Sequence, residues 1–383
     1  MSVDSFLTSG SSPGARRCRV AILGFGTVGS AVASRLAGPA PVDNVDGLEL
    51  TQILDRRAFA KRDALADISW TTSIDDILSG DADVVVEAIG GIEPAAEWIR
   101  AALAAGKSVV TANKQVVAHH GPALLALAER QGRQLRFEAA VGGAMPIVRA
   151  VDEGLSGDRL TRIVAILNGT SNAVLSRMEA AGCTIAQATA EARAQGWAEA
   201  DPSADLDGID ARAKLAILCA LGFRLRVDPA RIDARSIARL EPADLENARR
   251  RGAAIRQIAF AEYDYARSAL TAWVAPALVP YASIFARTCG PQNAALITGE
   301  HAGDIGVFGA GAGGAATAVA AIGDLLTIAR DRAAIVRAPV LKEPSLITGV
   351  SNPRDAGRVD RGTDVVDLLG RPDGLVGALA EAV

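Results

Sequence analysis

The chain has 383 residues, of which 50% are hydrophobic and 22% are charged, and its formal net charge is −4 at pH 7. The length suffices for two or three domains, and the composition is that of a globular protein with a buried core, which excludes large-scale disorder. The weakly negative charge gives no reason to expect nucleic acid or an anionic membrane surface as a partner.

Cysteine spacing and apolar stretches bear on the compartment. Four cysteines lie far apart, without a C-x-x-C pair, at Cys18, Cys183, Cys219 and Cys289. This spacing argues against a disulfide framework or zinc ribbon and favours a reducing cytoplasm. Residues 1–17 have no apolar core of secretory length and are predicted to be a flexible lead-in that is not cleaved. The uncharged stretch Ile305–Gly323 is mostly Gly and Ala, which favours a buried loop and helix over a membrane span.

Residues 18–145 alternate short apolar runs with helical patterns, and the first run, Arg19–Leu23, predicts a strand that leads through a turn into a helix. Further strands are predicted at Leu48–Leu54, Asp83–Ala88, Ser108–Ala112 and Gln134–Ala140. Helices are predicted between Pro94 and Gly106 and over 122–131. Apolar strands alternating with helices are typical of a parallel sheet with helical crossovers. The predicted fold class is therefore α/β, with a Rossmann-type dinucleotide-binding domain at 18–145.

The pattern changes after Pro146, and a second, α+β domain is predicted at 146–310. Its predicted elements are helices at 147–155, 171–181 and 184–195, a strand at Arg162–Leu167 and a helix at Asp210–Leu221. Residues 225–300 mix helical and strand-like segments that periodicity alone does not order. Residues 311–340 predict a Gly-rich turn and a long helix. Residues 341–383 are weakly patterned and predict an arm or a partly ordered C-terminal extension.

Three glycines directly after the first strand form a G-x-G-x-x-G pattern at Gly24, Gly26 and Gly29. The first permits a tight turn, the second lets a pyrophosphate approach the backbone, and the third lets the helix pack on the strand. The start of that helix offers free N–H groups and the positive end of its dipole to phosphates. Because strand, spacing and helix agree, the pattern predicts a dinucleotide site rather than a purely structural turn.

The end of the second strand bears on which dinucleotide is bound. Asp55 is placed to accept a hydrogen bond from a ribose 2′-hydroxyl, which favours NAD. Arg56 and Arg57 are placed to hold a 2′-phosphate, which favours NADP, with a solvated turn as the alternative for either arginine. The preference between the cofactors stays open.

A hydride-transfer enzyme also needs a group that exchanges a proton with the carbonyl or alcohol oxygen. His119 and His120 are adjacent at the head of a predicted helix, where a surface or capping role is expected. Lys114 follows the strand at Ser108–Ala112, at the edge where open α/β sheets bind their ligands. A functional role is therefore favoured for Lys114 over that of a solvated lysine at a helix start.

A short acidic segment precedes a second lysine, Lys214. Its carboxylates are Glu199, Asp201, Asp205, Asp207 and Asp210. If a helix begins near Asp210, then Asp210 and Lys214 lie on one face, but an exposed pair of this kind is worth only roughly 0.3–0.5 kcal/mol. The positions of glycine and glutamate exclude an EF-hand. The segment therefore predicts a pocket wall that recognises a positively charged group of a small substrate, such as an α-ammonium.

Together these motifs resemble homoserine dehydrogenase. The resemblance covers about residues 19–330 and is carried, in the family's order, by GFGTVG, TANK, FEAAVGGAMPI, ILNGTSN, GWAEADPSADLDGIDARAKLAIL and GAGAGGAATA. It implies reduction of L-aspartate 4-semialdehyde to L-homoserine with NAD(P)H, on the route to threonine, methionine and isoleucine. It also implies that residues 146–310 bind substrate and mediate dimerisation, which the apolar 265–300 region supports, and that residues 311–340 return to the nucleotide domain.

The resemblance also implies roles for the pocket residues. Lys214 is similar in position to the family's proton donor, and Lys114 to a second lysine between nicotinamide and substrate; which of the two carries the proton stays open. Glu199 and Asp210 match the carboxylates that bind the ammonium group, with Asp205 in support. Asp210 thus belongs to both the substrate-binding and the catalytic sets.

Cofactor and cation contacts are implied in the same way. Phe25, Thr27 and Val28 are expected to contact the pyrophosphate, and Gly313 to approach the cofactor from the returning segment. A monovalent cation, Na⁺ or K⁺, is expected on the backbone carbonyl oxygens of Glu138, Val141, Gly143 and Met145. Hard cations prefer such oxygen ligands.

Many members of the family carry a C-terminal regulatory ACT domain, and the residues after the last predicted helix are too few and too weakly patterned for one. Feedback by threonine through such a domain is therefore not expected.

Two other functions compete: a Rossmann dehydrogenase for another small amino-acid-derived carbonyl, and a catalytically silent nucleotide-binding regulator. The presence of both lysines and the whole acidic segment disfavours the silent regulator.

Overall fold

The computed structural model describes residues 17–37, 47–350 and 365–369. The predicted lead-in at 1–17 lies almost wholly outside these residues, as does most of the chain beyond 350. Two β-sheets flanked by helices form the described part of the chain.

The first sheet is parallel and has six strands in the described residues. They are β1 (Cys18–Leu23), β2 (Leu48–Leu54), β3 (Ser69–Thr71), β4 (Val84–Glu87), β5 (Ser108–Thr111) and β6 (Leu135–Arg136). Their spatial order is β3-β2-β1-β4-β5-β6. The order reverses between β1 and β4, and such a switch point opens a ligand crevice at the carboxyl ends of the strands. The predicted Rossmann-type fold class is confirmed.

Helices join these strands on the two faces of the sheet. They are α1 (Thr27–Ala37), α2 (Ala58–Lys61), α3 (Ile74–Ser79), α4 (Ala95–Ala104) and α5 (Lys114–Arg130). The predicted strand at Gln134–Ala140 is shorter in the structure, because a 3-10 turn at Glu138–Ala140 follows β6. Strand β3 was missed because it has only three residues, none of them fully buried.

The prediction for α5 was wrong at its start. The helix begins at Lys114, because the side chain of Asn113 caps it by accepting a hydrogen bond from the Val116 N–H at 3.2 Å. Pro122 is accommodated inside the helix instead of starting it. His119 and His120 therefore lie within α5 and do not cap it, while the exposure of His119 agrees with the surface role that was the other expectation.

The second sheet is mixed. Its strands are β7 (Leu160–Ile166), β8 (Asp233–Ala234), β9 (Ala253–Asp264), β10 (Ala269–Pro280), β11 (Gln292–Gly299), β12 (Gly303–Ala310), β13 (Leu346–Thr348) and β14 (Val366–Asp367). Five of them form an antiparallel path in the order β12-β11-β7-β9-β10. The short strands β8, β13 and β14 each pair in parallel with β10.

The helices of the second half cover this sheet and return to the first. They are α6 (Ile147–Arg149), α7 (Gly169–Ala181), α8 (Ile185–Ala194), α9 (Ser203–Leu206), α10 (Ile209–Gly222), α11 (Pro242–Arg250), α12 (Ile284–Arg287) and α13 (Gly314–Arg330). Helix α13 packs Ala318, Ile322 and Leu325 into one buried cluster with Ile22 of β1 and Val32 of α1. The last helix of the described residues therefore contacts the first sheet.

The stretch Ile305–Gly323 differs from its prediction. Its first residues form the end of edge strand β12, so the predicted buried loop is wrong for them, while α13 supplies the predicted helix. Among the described residues, no helix is long and apolar enough to cross a membrane.

The described parts of the C-terminal extension lie on the second sheet. Val350, Val366 and Leu368 are buried in one cluster with Phe260 and Trp273, whose rings stack with centroids 5.0 Å apart. The weak sequence pattern predicted an arm or a partly ordered extension. In the structure the described segments pack on the sheet and pair with β10, and the rest of the extension lies outside the described residues.

Candidate active site

A cleft of about 400 Å³ is lined by residues from both halves of the chain, and four helices begin at its wall. These are α1 at Thr27, α5 at Lys114, α7 at Gly169 and α13 at Gly314. The start of a helix presents the positive end of its dipole and those backbone N–H groups that a capping residue does not occupy. The cleft is therefore suited to an anionic ligand such as a dinucleotide.

The glycine pattern forms one end of this cleft. Gly24 has φ of +94°, and a Cβ there would lie 2.8 Å from the carbonyl oxygen of Ala88. A Cβ on Gly29 would lie 1.9 Å from the carbonyl oxygen of Gly24, whereas Gly26 has no heavy atom within 4 Å of its Cβ position. Two of the glycines thus permit close backbone packing, and Gly26 leaves space for a ligand.

Asp55 lies beside this loop and is already engaged by a lysine. Its Oδ2 accepts hydrogen bonds from the Phe25 N–H at 3.0 Å and from Lys61 Nζ at 2.7 Å. Burial acts to raise the pKa of Asp55, but Lys61 and the backbone N–H groups of Arg57 and Phe25 lower it overall. The side chains of Arg56 and Arg57 are exposed at the same turn. Sequence reasoning missed Lys61, for which no motif gives a signal.

The two lysines predicted from the sequence meet at one buried carboxylate. Asp210 is only 4% exposed; its Oδ1 lies 2.6 Å from Lys114 Nζ and its Oδ2 2.7 Å from Lys214 Nζ. Lys214 Nζ also donates to the carbonyl oxygen of Leu167 at 2.8 Å, and its side chain is 11% exposed. The predicted pairing of Asp210 with Lys214 on one helix face is confirmed, and the pair is buried, not solvated.

Both lysines stabilise the charged form of Asp210, and Asp210 stabilises the charged form of Lys114. Burial alone would raise the pKa of Asp210, but Lys214 and Lys114 hold it well below its usual range. The charge of Asp210 in turn raises the pKa of Lys114, against the opposing effect of burial, with smaller contributions from Asp205 and Glu199. The Lys114 ammonium is therefore protonated at neutral pH.

Asn168 joins the carboxylates on the substrate side of the cleft. Its Nδ2 donates to Asp205 Oδ1 at 2.6 Å and to Asp210 Oδ2 at 2.9 Å, while its Oδ1 caps α7 by accepting from the Ser171 N–H at 2.7 Å. Burial, together with the nearby charge of Asp210, raises the pKa of Asp205. The sequence analysis gave Asn168 no role, although it lies in the NGTSN motif. An Asn directly before a helix start is a capping signal that could have identified it.

The five carboxylates of the acidic segment divide into two groups. Glu199, Asp205 and Asp210 line the cleft. Asp201 accepts from the Ser203 N–H at 3.0 Å, and Asp207 from Ser236 Oγ at 2.6 Å. The first three give the cleft its negative charge, and the other two stabilise the turns of the segment.

The loop predicted to bind a cation lies next to the cleft. The carbonyl oxygens of Val141 and Gly143 accept no hydrogen bond from the described residues, although both residues are buried. Those of Glu138 and Met145 accept from the N–H groups of Val141 at 3.3 Å and Ile147 at 2.8 Å, and each keeps a second lone pair. The four oxygens therefore fit a hard cation. A cluster of His, Cys, Asp or Glu side chains that could hold a metal does not occur among the described residues.

The side chain of Glu138 has a separate role. It accepts hydrogen bonds from the N–H groups of Val148 at 2.9 Å and Arg149 at 2.8 Å, at the start of α6. Burial, with a contribution from Asp324, raises the pKa of Glu138 to about 7. The Glu138 carboxyl group therefore anchors the end of the loop.

The segment that leads into α13 contacts both loops. A Cβ on Gly314 would lie 2.4 Å from the carbonyl oxygen of Thr27, and a Cβ on Gly143 would lie 2.6 Å from that of Ala310. Gly313 lies directly between these contacts and lines the cleft, as do Thr27 and Val28. His119, by contrast, is exposed on α5 and is not part of the cleft lining.

Comparisons with known proteins agree with this geometry. Residues 24–138 match the family described as homoserine dehydrogenase, NAD binding domain, and residues 146–326 match homoserine dehydrogenase. A homoserine dehydrogenase of Corynebacterium glutamicum is 39% identical over 334 residues, which cover 84% of this chain and 74% of that protein.

Solved structures are also similar. A homoserine dehydrogenase from Thiobacillus denitrificans gives a TM-score of 0.81 at 32% identity, covering 89% of this chain and 80% of that one. A hyperthermophilic archaeal homoserine dehydrogenase in complex with NADPH gives a TM-score of 0.68 at 26% identity, covering 82% of this chain and 97% of that one.

Proposed function

The chain belongs to the homoserine dehydrogenase family, and from that premise we propose how its cleft carries out the reaction. It is an NAD(P)-dependent oxidoreductase that interconverts L-aspartate 4-semialdehyde and L-homoserine. The observation that carries the mechanism is the buried contact of Lys114 and Lys214 with Asp210, next to Asp205 and Asn168.

The acidic side of the cleft binds the ammonium group of the substrate. Two lysines contribute two positive charges, and Glu199, Asp205 and Asp210 contribute three negative ones. One negative charge is thus left for a single ammonium group, and a buried charge needs such a partner. Asp205 and Glu199 contact the ammonium group directly, while Asp210 also holds both lysines in place.

One of the two lysines protonates the substrate oxygen. A bound reduced dinucleotide supplies the hydride from C4 of its nicotinamide to the aldehyde carbon. Lys214 has three N–H donors, of which two are used by Asp210 and the carbonyl oxygen of Leu167, so one remains for the aldehyde oxygen. A cationic donor also stabilises the alkoxide that develops on this oxygen in a cleft with little water. Lys114, on the other side of Asp210, is the alternative donor.

The residues that would hold the pyrophosphate are those of the glycine loop and the start of α1, together with Gly313: Gly24, Phe25, Gly26, Thr27, Val28 and Gly29. Lys114 would contact the cofactor and the substrate from the start of α5. Lys61 neutralises Asp55, which weakens the bias of that carboxylate for an unmodified ribose. Arg56 and Arg57 add positive charge at the same turn, so we expect NADPH to be preferred over NADH.

A monovalent cation on the carbonyl oxygens of Glu138, Val141, Gly143 and Met145 would hold the loop between β6 and α6 in shape. The free lone pairs of Val141 and Gly143 support this proposal. A cation there would supply a partner for carbonyl oxygens that the described residues leave without a hydrogen bond.

The family premise also supports a homodimer in the cytoplasm. The apolar 265–300 region does not itself offer a surface, because most of β10 is buried within the subunit. Ile305 and Phe308 are exposed on edge strand β12 and are available for an interface.

All four cysteines are free thiols, in keeping with a reducing compartment.

A steady-state assay tests this function. Purified protein is given L-aspartate 4-semialdehyde with NADPH or NADH, and oxidation of the nucleotide is followed by absorbance. We expect turnover with the semialdehyde, a lower KM for NADPH, and no turnover with a panel of 2-oxo acids. Turnover with a 2-oxo acid instead would identify a dehydrogenase of another specificity, and tight nucleotide binding without any turnover would identify a silent regulator.

A further inference from the structure

We propose that Gln257 is a positioning residue for the ammonium-binding cluster, whose two halves are Asn168 at the start of α7 and Asp205 on α9. Gln257 fixes these two halves relative to each other. Gln257 lies in the middle of β9, is 3% exposed and is not part of the cleft lining. This inference rests on the proposed function, because it assigns Gln257 an effect on the recognition of the ammonium group.

The side-chain amide of Gln257 links two elements that are far apart in sequence. Its Oε1 accepts a hydrogen bond from Ser171 Oγ at 2.8 Å, in the first turn of α7. Its Nε2 donates to the carbonyl oxygen of Leu206 at 3.1 Å, at the end of α9. Because that carbonyl oxygen only accepts, the orientation of the amide is determined.

The two linked elements carry the two halves of the cluster. Ser171 is held to Asn168 by the capping hydrogen bond of α7, and Leu206 is the chain neighbour of Asp205. The side chains of Asn168 and Asp205 meet at 2.6 Å on the cleft side. The contacts therefore form a closed ring: Gln257 contacts Ser171 and Leu206, and these lead to Asn168 and Asp205, which contact each other.

The turn that leads from α9 to Asp210 lies directly on this amide. Gly208 has φ of +74°, and a Cβ there would lie 3.0 Å from Val274 Cγ1 and 3.5 Å from Gln257 Nε2. The Leu206 carbonyl oxygen also accepts from the Ile237 N–H at 3.0 Å. Loss of the amide would therefore leave α9 attached to the segment after β8, through Ile237, but free to shift relative to α7.

The test compares two buried glutamines in the full-length protein. Gln257→Met removes both hydrogen bonds at nearly constant volume. Gln134→Met is the matched control, because Gln134 is 1% exposed, donates to the carbonyl oxygen of Asp331 at 2.7 Å and accepts from Arg136 Nε at 3.0 Å. For each variant, the KM for L-aspartate 4-semialdehyde, the Kd for NADPH and the Tm are measured.

We expect Gln257→Met to raise the semialdehyde KM about tenfold, the effect of losing hydrogen-bond positioning worth about 1.4 kcal/mol, with the NADPH Kd unchanged. Gln134→Met is expected to lower the Tm without changing the KM for the semialdehyde or the Kd for NADPH. The inference would be overturned if the semialdehyde KM is unchanged in Gln257→Met, or if the semialdehyde KM and the NADPH Kd rise by the same factor. If Gln257→Met does not fold, Ser171→Ala removes one link from the other side and is expected to raise the same KM.

Asp205→Asn separates this inference from the proposed function. An Asp205→Asn variant with unchanged semialdehyde KM would contradict the ammonium site itself. A raised KM in Asp205→Asn, together with a Gln257→Met variant that behaves like Gln134→Met, would reject only the role of Gln257.

Discussion

Asp210 is the residue on which the chemistry of the cleft depends most. One buried carboxylate pairs with two lysines, one from the helix after β5 and one from its own helix. Removing one partner of a buried charge group leaves the others uncompensated, so the three residues act as a unit. The protonation of Lys114 is therefore coupled to the presence of this carboxylate.

Asp210→Asn is expected to change the pH dependence of the reduction. The Asp210 carboxylate raises the pKa of Lys114, so its removal lowers that pKa and the ammonium form is lost at a lower pH. The alkaline limb of the kcat/KM profile for the semialdehyde should move to lower pH. Asp201→Asn, which changes an exposed carboxylate bound to Ser203, serves as control and should leave the limb in place. An alkaline limb that stays fixed in Asp210→Asn would contradict the coupling.

Residues whose partners are close in sequence were accessible to prediction. Asp210 and Lys214 follow from helical spacing, and the glycines from a motif with a mechanical reason for each position. Asn168 and Lys61 were not found as site residues. Asn168 meets Asp205 and Asp210 across 37 and 42 residues. Lys61 reaches Asp55 from six residues away, which is not a helical or strand spacing, and Phe25 from 36 residues away. Contacts of this kind are created by the fold and leave no local pattern.

In the glycine loop and its helix, different residues serve packing and ligand binding. Single substitutions can therefore test the two roles separately. Gly29 is closed in by the Gly24 carbonyl oxygen, whereas the Cβ position of Gly26 is open. Both glycines belong to one motif, yet the structure gives them different reasons for having no side chain.

Gly26→Ala and Gly29→Ala are therefore expected to differ. Gly26→Ala should keep the Tm within a few degrees of the parent and weaken NADPH binding, because its methyl group occupies the space left for the pyrophosphate. Gly29→Ala should lower the Tm strongly, because its Cβ would overlap the Gly24 carbonyl oxygen. Thermal unfolding and a fluorescence titration with NADPH measure the two effects. Equal losses of stability in both variants would contradict the distinction.

At the scale of elements, burial explains both the success and the failure of prediction. Four strands of the first sheet (β1, β2, β4 and β5) are short apolar runs bounded by turns, and their positions were predicted within two residues. The last strand, β6, is shorter than predicted, and the three-residue strand β3 was missed. Strands β9 and β10 are buried on both faces over most of their length and show no alternation of polar and apolar residues. The order of residues 225–300 could not be read for that reason.

At the scale of the whole molecule, the chain passes from the first sheet to the second and back. Helix α13 packs against α1 and β1, so the last helix covers the first sheet. The described tail then returns to the second sheet, where β13 and β14 pair with β10. Sequence patterns indicate these elements one by one, but the side on which a tail docks depends on surfaces formed only after folding.

Leu368→Ala tests whether this tail is part of the folded unit. Leu368 is 3% exposed in the cluster with Phe260 and Trp273, so the substitution should lower the free energy of unfolding by about 2–3 kcal/mol. Leu346→Ala is the control, because Leu346 lies in the same tail and is 54% exposed. Urea denaturation measures both, and kcat should be unchanged in each. Equal stability of the two variants would contradict the docked tail.

The central claim is that a lysine held by Asp210 protonates the substrate oxygen, and Lys214→Ala tests it most directly. The kcat for L-aspartate 4-semialdehyde and the Kd for NADPH are measured on the same preparation. We expect kcat to fall by at least about a hundredfold, the contribution of a general acid, with the NADPH Kd unchanged. Turnover at the parental rate in Lys214→Ala would remove Lys214 from the mechanism.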